Sequence, residues 1–288
     1  MHPIRGAFSC EKEVVFMAYL QNLHTHSVFC DGVHTPEEMV QFALEKGFDS
    51  IGFSGHAYTW YNPYANATPE NTAKYKAEVT ALKAKYADQL KIFLGLEMDM
   101  YSGVDLTGYD YLIGSVHYLK VDGTHIPIDR TKAENVQDVI DTYYGGDEMA
   151  FVKAYYDAVA SLPQYGNFDI IGHFDLITKN LDQKPLFDNT SDAYIRCAVD
   201  AMEALRPHIR IFEVNTGAMA RGYRKVPYPC ANLLDYLRDL GFGAVITSDC
   251  HDGTKLDLGR EDARQLLLSH GFKEQYILTD AGFEAIPL

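Results

Sequence analysis

Residues 243–251 read Gly-Ala-Val-Ile-Thr-Ser-Asp-Cys-His, a short run of small and β-branched residues that stops abruptly at Asp249, Cys250 and His251. A run of this length and composition reads as a buried strand, so the polar residues fall at its C-terminal end. The same grammar recurs along the chain. Tyr19 to His24 leads into His24-Thr25-His26 and then Asp31, and Ser50 to Ser54 leads into His56. Lys91 to Leu96 leads into Glu97 and Asp99, Tyr111 to Val116 into His117, and Asp169 to Gly172 into His173. Ile209 to Val214 completes a set of seven expected strands.

Longer amphipathic stretches separate these runs. One helix is expected from Thr35-Pro36-Glu37-Glu38, where Thr caps, Pro fits the first turn and the acids suit the positive end, to a stop near Gly47. Others are expected over roughly 71–87, 147–162, 192–205, 231–240 and 261–270. Strands alternating with helices predict a parallel sheet, and about seven such units predict closure into an α/β barrel. The segment from Lys120 to Gly146 breaks the rhythm. It is polar, rich in Asp and ends in Tyr143-Tyr144-Gly145-Gly146, which reads as a long loop over the barrel mouth.

In a barrel of parallel strands the C-terminal ends share one rim, where functional residues of such folds gather. Residues two apart on a strand face the same way, so His24 with His26, and Asp249 with His251, aim pairs of ligands into one space. Each residue alone has a bland explanation: a buried His is commonly a hydrogen-bonded core residue, and an Asp after a strand is commonly a turn or cap. The bland explanation must, however, place four His-bearing strand ends and Asp249-His251 at one rim by accident. Mixed imidazole and carboxylate donors suit zinc, iron or manganese rather than calcium. One ion needs only three or four ligands, so the surplus predicts two or three divalent ions. Such a cluster lowers the pKa of a bridging water and clamps phosphoryl oxygens. His2, His34, His125, His208 and His270 read as surface residues.

Composition narrows the function classes. The 288 residues, 47% hydrophobic and 23% charged, suit a globular protein with a full core, and one barrel domain over 18–288 accounts for them. With 25 basic against 40 acidic residues the formal charge is −15, which disfavours nucleic acid as a general partner but not a small phosphomonoester held by local cations. Cys10, Cys30, Cys197, Cys230 and Cys250 are odd in number and lack CxxC spacing, so a reducing, cytoplasmic setting is expected. No apolar run approaches the ~20 residues of a membrane span. Glu11, Lys12 and Glu13 interrupt any signal-peptide pattern, and Met17 reads as an alternative start with residues 1–17 as an extension. No nucleophile elbow, P-loop or GxGxxG after the first strand competes with the metal reading.

His24-Thr25-His26 with Asp31-Gly32, His56 after an apolar strand, Glu97, His117, His173 and Ser248-Asp249-Cys250-His251 together resemble the PHP superfamily (polymerase and histidinol phosphatase), from about Tyr19 to beyond His251. The resemblance implies a distorted barrel of seven β/α units with a metal cluster at its C-terminal rim. Its implied ligands are His24, His26, Asp31, His56, Glu97, His117, His173, Asp249 and His251. Gly172-His173-Phe174-Asp175, and Phe212-Glu213-Val214-Asn215-Thr216-Gly217 running on to Arg221, Gly222, Tyr223, Arg224 and Pro227-Tyr228-Pro229, resemble the L-histidinol-phosphate phosphatase branch. That likeness implies hydrolysis of L-histidinol phosphate in histidine biosynthesis, with hydroxide between the ions attacking phosphorus. An arginine, Arg221 or Arg224 with the former slightly favoured, grips a phosphate oxygen, and Lys179 is a weaker choice. Asp31 or His56 is expected near the leaving alkoxide, and acids between Asp122 and Asp147 near the substrate's amine. One departure stands out: Gly55 occupies a place where the pattern commonly has Asp, so another group must orient His56. A nucleotide or oligonucleotide phosphoesterase is the alternative within the superfamily, and a non-catalytic metal-binding module is the alternative of another class.

Overall fold

The seven apolar runs become seven parallel strands because each is buried on both faces, by side chains inside the barrel and by helices outside. The computed structural model describes residues 19–62 and 66–288, so the expected extension at residues 1–17 lies outside the described residues. In chain order the elements are β1 (Gln21–Asn22), α1 (Pro36–Glu45), β2 (Ser50–Phe53), α2 (Pro69–Lys85), β3 (Lys91–Asp99), β4 (Tyr111–Ser115), β5 (Tyr118–Val121), β6 (Thr124–Pro127), α3 (Ala133–Tyr144) and α4 (Glu148–Ala160). They continue with β7 (Ile170–Ile171), α5 (Asp192–Leu205), β8 (Ile211–Asn215), α6 (Gly217–Ala220), α7 (Ala231–Asp239), β9 (Gly243–Thr247), α8 (Arg260–Ser269), β10 (Glu274–Thr279) and β11 (Gly282–Pro287).

The sheet runs β1-β2-β3-β4-β7-β8-β9, and every neighbouring pair is parallel. Its two edges meet at the rim, where Thr25 bridges Cys250, with His26 N–H donating to Cys250 O at 2.8 Å and Cys250 N–H to His24 O at 2.9 Å. This nearly closed parallel barrel is the architecture expected. Helix starts follow their signals: Thr35 and Glu38 form a reciprocal capping box ahead of α1, and Thr68 caps α2 just before Pro69.

Inside the barrel, β4 sends Tyr111 across β3 and β2, and its hydroxyl donates to Leu23 O at 2.5 Å. Gly95 and Gly52 make the passage: a Cβ on either would lie 2.3–2.4 Å from the Tyr111 side chain. Leu23, Phe93, Ile113, Ile170, Ile211 and Val245 pack the remaining interior, and Leu278 of β10 joins them from the N-terminal end. Gln21 holds that hairpin in place, its side-chain amide bonding Leu278 O at 2.9 Å and accepting from Leu278 N–H at 2.7 Å.

The segment expected as one long loop is instead the antiparallel β5–β6 hairpin followed by α3. Val136, Val139 and Ile140 repeat at helical spacing and are buried, but Lys132 at the N-cap makes no side-chain cap bond, so the usual start signal is missing. Beyond the last expected helix the chain adds the antiparallel β10–β11 hairpin.

Candidate metal centre

The rim collects its ligands from strand ends, and Glu97 sits at the middle of them. It lies within β3, on a face that the strand register turns inward, and it is buried. Its Oε2 lies 3.0 Å from His56 Nδ1, 3.3 Å from His24 Nε2 and 3.7 Å from His26 Nε2. Its Oε1 lies 2.9 Å from His173 Nε2, 3.3 Å from His117 Nε2 and 2.8 Å from the Ser115 hydroxyl that donates to it. One carboxylate therefore faces two groups of imidazoles with its two oxygens.

A second carboxylate, Asp249, places Oδ1 at 3.1 Å from His26 Nε2 and 3.7 Å from His24 Nε2. A third, Asp31, reaches His26 Nδ1 at 3.4 Å, His251 Nε2 at 3.3 Å and His56 Nε2 at 3.5 Å. The rings of His26 and His251 stack at 3.9 Å. All nine residues singled out as ligands in the sequence thus converge at one rim. His56, where Gly55 offers no carboxylate, is oriented by Glu97 on one ring nitrogen and Asp31 on the other.

The route by which Asp249 and His251 reach this place differs from simple strand alternation. β9 ends at Thr247, and Asp249 adopts φ +44°, a left-handed conformation that Asp tolerates better than most residues. Gly217 leaves the room it needs, since a Cβ there would lie 2.7 Å from Asp249 Cβ. Cys250 turns away into the core beneath α1.

The donor set fits a cation. His24 Nε2, His26 Nε2 and Glu97 Oε2 are buried with no hydrogen-bond partner, although they lie close together. His24, His26 and Glu97 form one group whose ligand atoms all lie within 4.8 Å of one another. His26, Asp31, His56 and His251 form a second, and His56, Glu97 and His117 a third. Residues shared between groups suit neighbouring ions rather than separate ones.

Electrostatics points the same way. Burial pulls His24 down, yet Glu213, Glu97 and Asp249 lift it well above the ordinary value. Burial likewise opposes the charge on His56 and His117, but Asp31 and Glu97 raise the first to about 10, and Glu97 with Asp99 raise the second to about 9. Glu97 and Asp249 sit well below the carboxylate range despite burial, held by His24, His56 and His117 in one case and by Arg221 and His24 in the other. Without a cation among them the carboxylates draw protons onto the imidazoles, a positive charge that a bound ion would replace.

Glu213 and Asp99, given no role from the sequence, and Asp129, one of the acids between Asp122 and Asp147 expected near the substrate's amine, complete the site. Glu213 on β8 is fully buried and accepts from His24 Nδ1 with both oxygens, at 2.8 and 3.0 Å, which fixes the proton on Nδ1 and turns Nε2 to the cluster. Thr247 and Asn215 each donate to its Oε2 at 2.8 Å. Asp99 accepts from the His117 backbone N–H at 2.9 Å and from the Tyr61 hydroxyl. Asp129, after β6, pairs with Lys179. Glu213 and Asp99 stand two residues from other inward-facing positions on their strands, a signal available in the sequence; the signal for Asp129 is its place among the acids between Asp122 and Asp147.

A pocket of about 210 Å³ opens over the cluster, walled by most of the nine together with Asp129, Leu176, Lys179, Arg221 and Tyr223. Arg221 donates to Asp249 Oδ2 at 3.0 Å and approaches His251 Nδ1 at 2.9 Å. Arg224 is not brought to this pocket. It is buried, donates to Thr178 Oγ1 at 2.7 Å and Cys230 Sγ at 3.0 Å, and lies over the Tyr228 ring. It borders a larger cleft of about 760 Å³ that lacks the imidazole cluster. His125 stacks on Tyr61 beside the rim, and His34 packs on Phe42 behind it.

Comparison with known proteins agrees with this geometry. A model of the PHP domain matches residues 22–217. A Deinococcus radiodurans protein named probable histidinol-phosphatase is 28% identical over 263 residues, covering 86% of this chain and 92% of that one. The histidinol-phosphatase of Bacillus subtilis is 26% identical over 257 residues, covering 79% and 92%. The solved structure of histidinol phosphate phosphatase from Lactococcus lactis, in complex with zinc, L-histidinol and phosphate, shares the fold with a TM-score of 0.68 at 20% identity, covering 92% of this chain and 98% of that one.

Proposed function

The chain belongs to the PHP domain family, and from that premise we propose that it is a metal-dependent phosphomonoesterase hydrolysing L-histidinol phosphate to L-histidinol and phosphate. The observation that carries this reading is the convergence of six imidazoles and three carboxylates around Glu97, with buried ligand atoms of His24, His26 and Glu97 left without hydrogen-bond partners. The relatives named as histidinol-phosphatases, matched over most of their length, support the choice of substrate.

Two or three divalent ions, of zinc, iron or manganese, would be held by His24, His26, Asp31, His56, Glu97, His117, His173, Asp249 and His251. When bound, they supply Lewis-acid activation of a water nucleophile and neutralise charge at phosphorus. Arg221, part-exposed on the pocket wall, grips a non-bridging phosphate oxygen, a task its planar fork suits. Asp31 and His56 face each other at 3.5 Å, and Asp31 is 31% exposed toward the mouth, so this pair handles the proton of the departing alkoxide. Glu213 keeps His24 in one tautomer throughout.

A histidine-biosynthetic role and a cytoplasmic setting belong to the same proposal. Cys30, Cys197, Cys230 and Cys250 are free thiols, and no helix of the described residues is long and apolar enough to cross a membrane. The test pairs elemental analysis with a substrate comparison. The purified protein should contain more than one equivalent of metal, lose turnover on chelation, and prefer L-histidinol phosphate to a 3′,5′-bisphosphonucleotide. Metal-loaded protein that cleaves only the nucleotide sinks the proposal.

A further inference from the structure

Four carboxylates wall the pocket over the cluster: Asp31, Glu97, Asp129 and Asp249. Three of them lie among the imidazoles. Asp129 is not one of the nine converging residues; it lines the same pocket from the segment between β6 and α3. Lys179 donates to its Oδ1, and among the described residues no donor reaches Oδ2. Lys179 is itself nearly buried and lies 4.5 Å over the Tyr223 ring, so the pair is fixed in place rather than free to swing. The Asp129 side chain keeps 29% of its surface exposed. A carboxylate anchored on one oxygen and open on the other is a receptor for a cation.

We propose that Asp129 receives the ammonium group of the substrate, so that the site selects alkyl phosphomonoesters bearing an amine close to the phosphate. This rests on the function proposed above and names the residue that recognises its organic part. L-Histidinol phosphate carries its ammonium on the carbon next to the phosphorylated one. Its receptor must therefore stand within a few bonds of Arg221, on the same pocket, and be no part of the ligand cluster. Asp129 alone among the pocket's carboxylates meets those conditions. Burial works against its charge, but Lys179 beside it, with His117 and Arg221 nearby, holds its carboxyl at about 2, so it is anionic at any working pH. Lys179 plays the supporting part, since its charge orients the carboxylate while leaving one oxygen for the substrate.

The experiment compares Asp129→Asn with wild type on two substrates, L-histidinol phosphate and its analogue with hydrogen in place of the amino group. The variant should lose roughly 10- to 100-fold in kcat/KM on the amine, mainly through KM, and less than about threefold on the analogue. Turnover of the analogue also certifies that the variant is folded. Equal losses on both substrates overturn the proposal, because Asp129 would then act only through Lys179 or the fold, and the function reading would stand. A wild-type enzyme that turns over neither compound overturns that reading, and the assignment of Asp129 with it.

Discussion

Replacing Glu213 by Gln exchanges one carboxylate oxygen for an NH2 with almost no change of shape, and the surroundings leave that NH2 nowhere to go. If it takes the Oε1 place it faces His24 Nδ1, which must then give up its proton and move it to Nε2, the atom turned toward the cluster. If it takes the Oε2 place it meets the Asn215 amide and the Thr247 hydroxyl, both of which donate there at 2.8 Å. The first arrangement removes a ligand, and the second leaves a buried donor unsatisfied. Orienting partners of metal-bound histidines are worth roughly 10- to 100-fold in affinity, or about 1.4–2.8 kcal/mol. The second arrangement costs a comparable ~1–3 kcal/mol of fold stability. Metal affinity is read by competition with a chromophoric chelator, and stability by thermal melting of the chelated protein. The expected result is a loss in one or both, with turnover falling in step with metal content at limiting metal. Wild-type affinity together with a wild-type melting temperature refutes the reasoning, because Glu213 would then not hold His24.

Arg221→Ala should lower kcat/KM by about 1.5–3 kcal/mol of transition-state stabilisation, while Arg224→Ala should lower melting temperature with no comparable kinetic loss; steady-state kinetics showing the opposite pattern would reverse their assignments. Gly217→Ala puts a Cβ 2.7 Å from that of Asp249, so it should displace the carboxylate, reduce bound metal and cost about 1–3 kcal/mol by overpacking; elemental analysis with unchanged metal content counts against this. The chelated protein should also respond to pH. His56 and His117 are raised above 6.5 to about 10 and 9, so the stability they contribute is complete below about pH 6.5 and is lost as pH climbs through 9–10. Glu97 is depressed, so its contribution is lost on the acid side as pH falls below about 4.5. Melting of chelated protein should peak between these limits, and restored metal should remove the alkaline decline; a flat alkaline limb in the chelated protein contradicts the charge pattern.

The parts legible in the sequence were those with a short repeat distance. Apolar runs of four to six residues marked the strands, and ligand types at their C-terminal ends marked the rim, because strand direction alone brings such ends together. Glu213 shows where this fails. Strand spacing could turn it inward, but its partner His24 is 189 residues away, and nothing local says that an inward Glu orients an imidazole. Asp129 stands outside the strand grammar altogether, in a connection whose hairpin and helix read as polar loop. Arg221 and Arg224 illustrate a finer limit. They lie three residues apart in one turn-rich stretch, and only α6 with Gly222 at φ +76° decides that one faces the pocket and the other the core.

Tyr111 has a consequence beyond packing. Among the described residues its ring, the aliphatic layer around it and Leu278 below fill the barrel under the rim. The pocket over the cluster therefore lies on the C-terminal side of this plug, walled by Asp31, Lys179 and Tyr223 among others. On the proposed function, a phosphate lingering in that pocket would bar the next ester and would also shelter ions held behind it from escape.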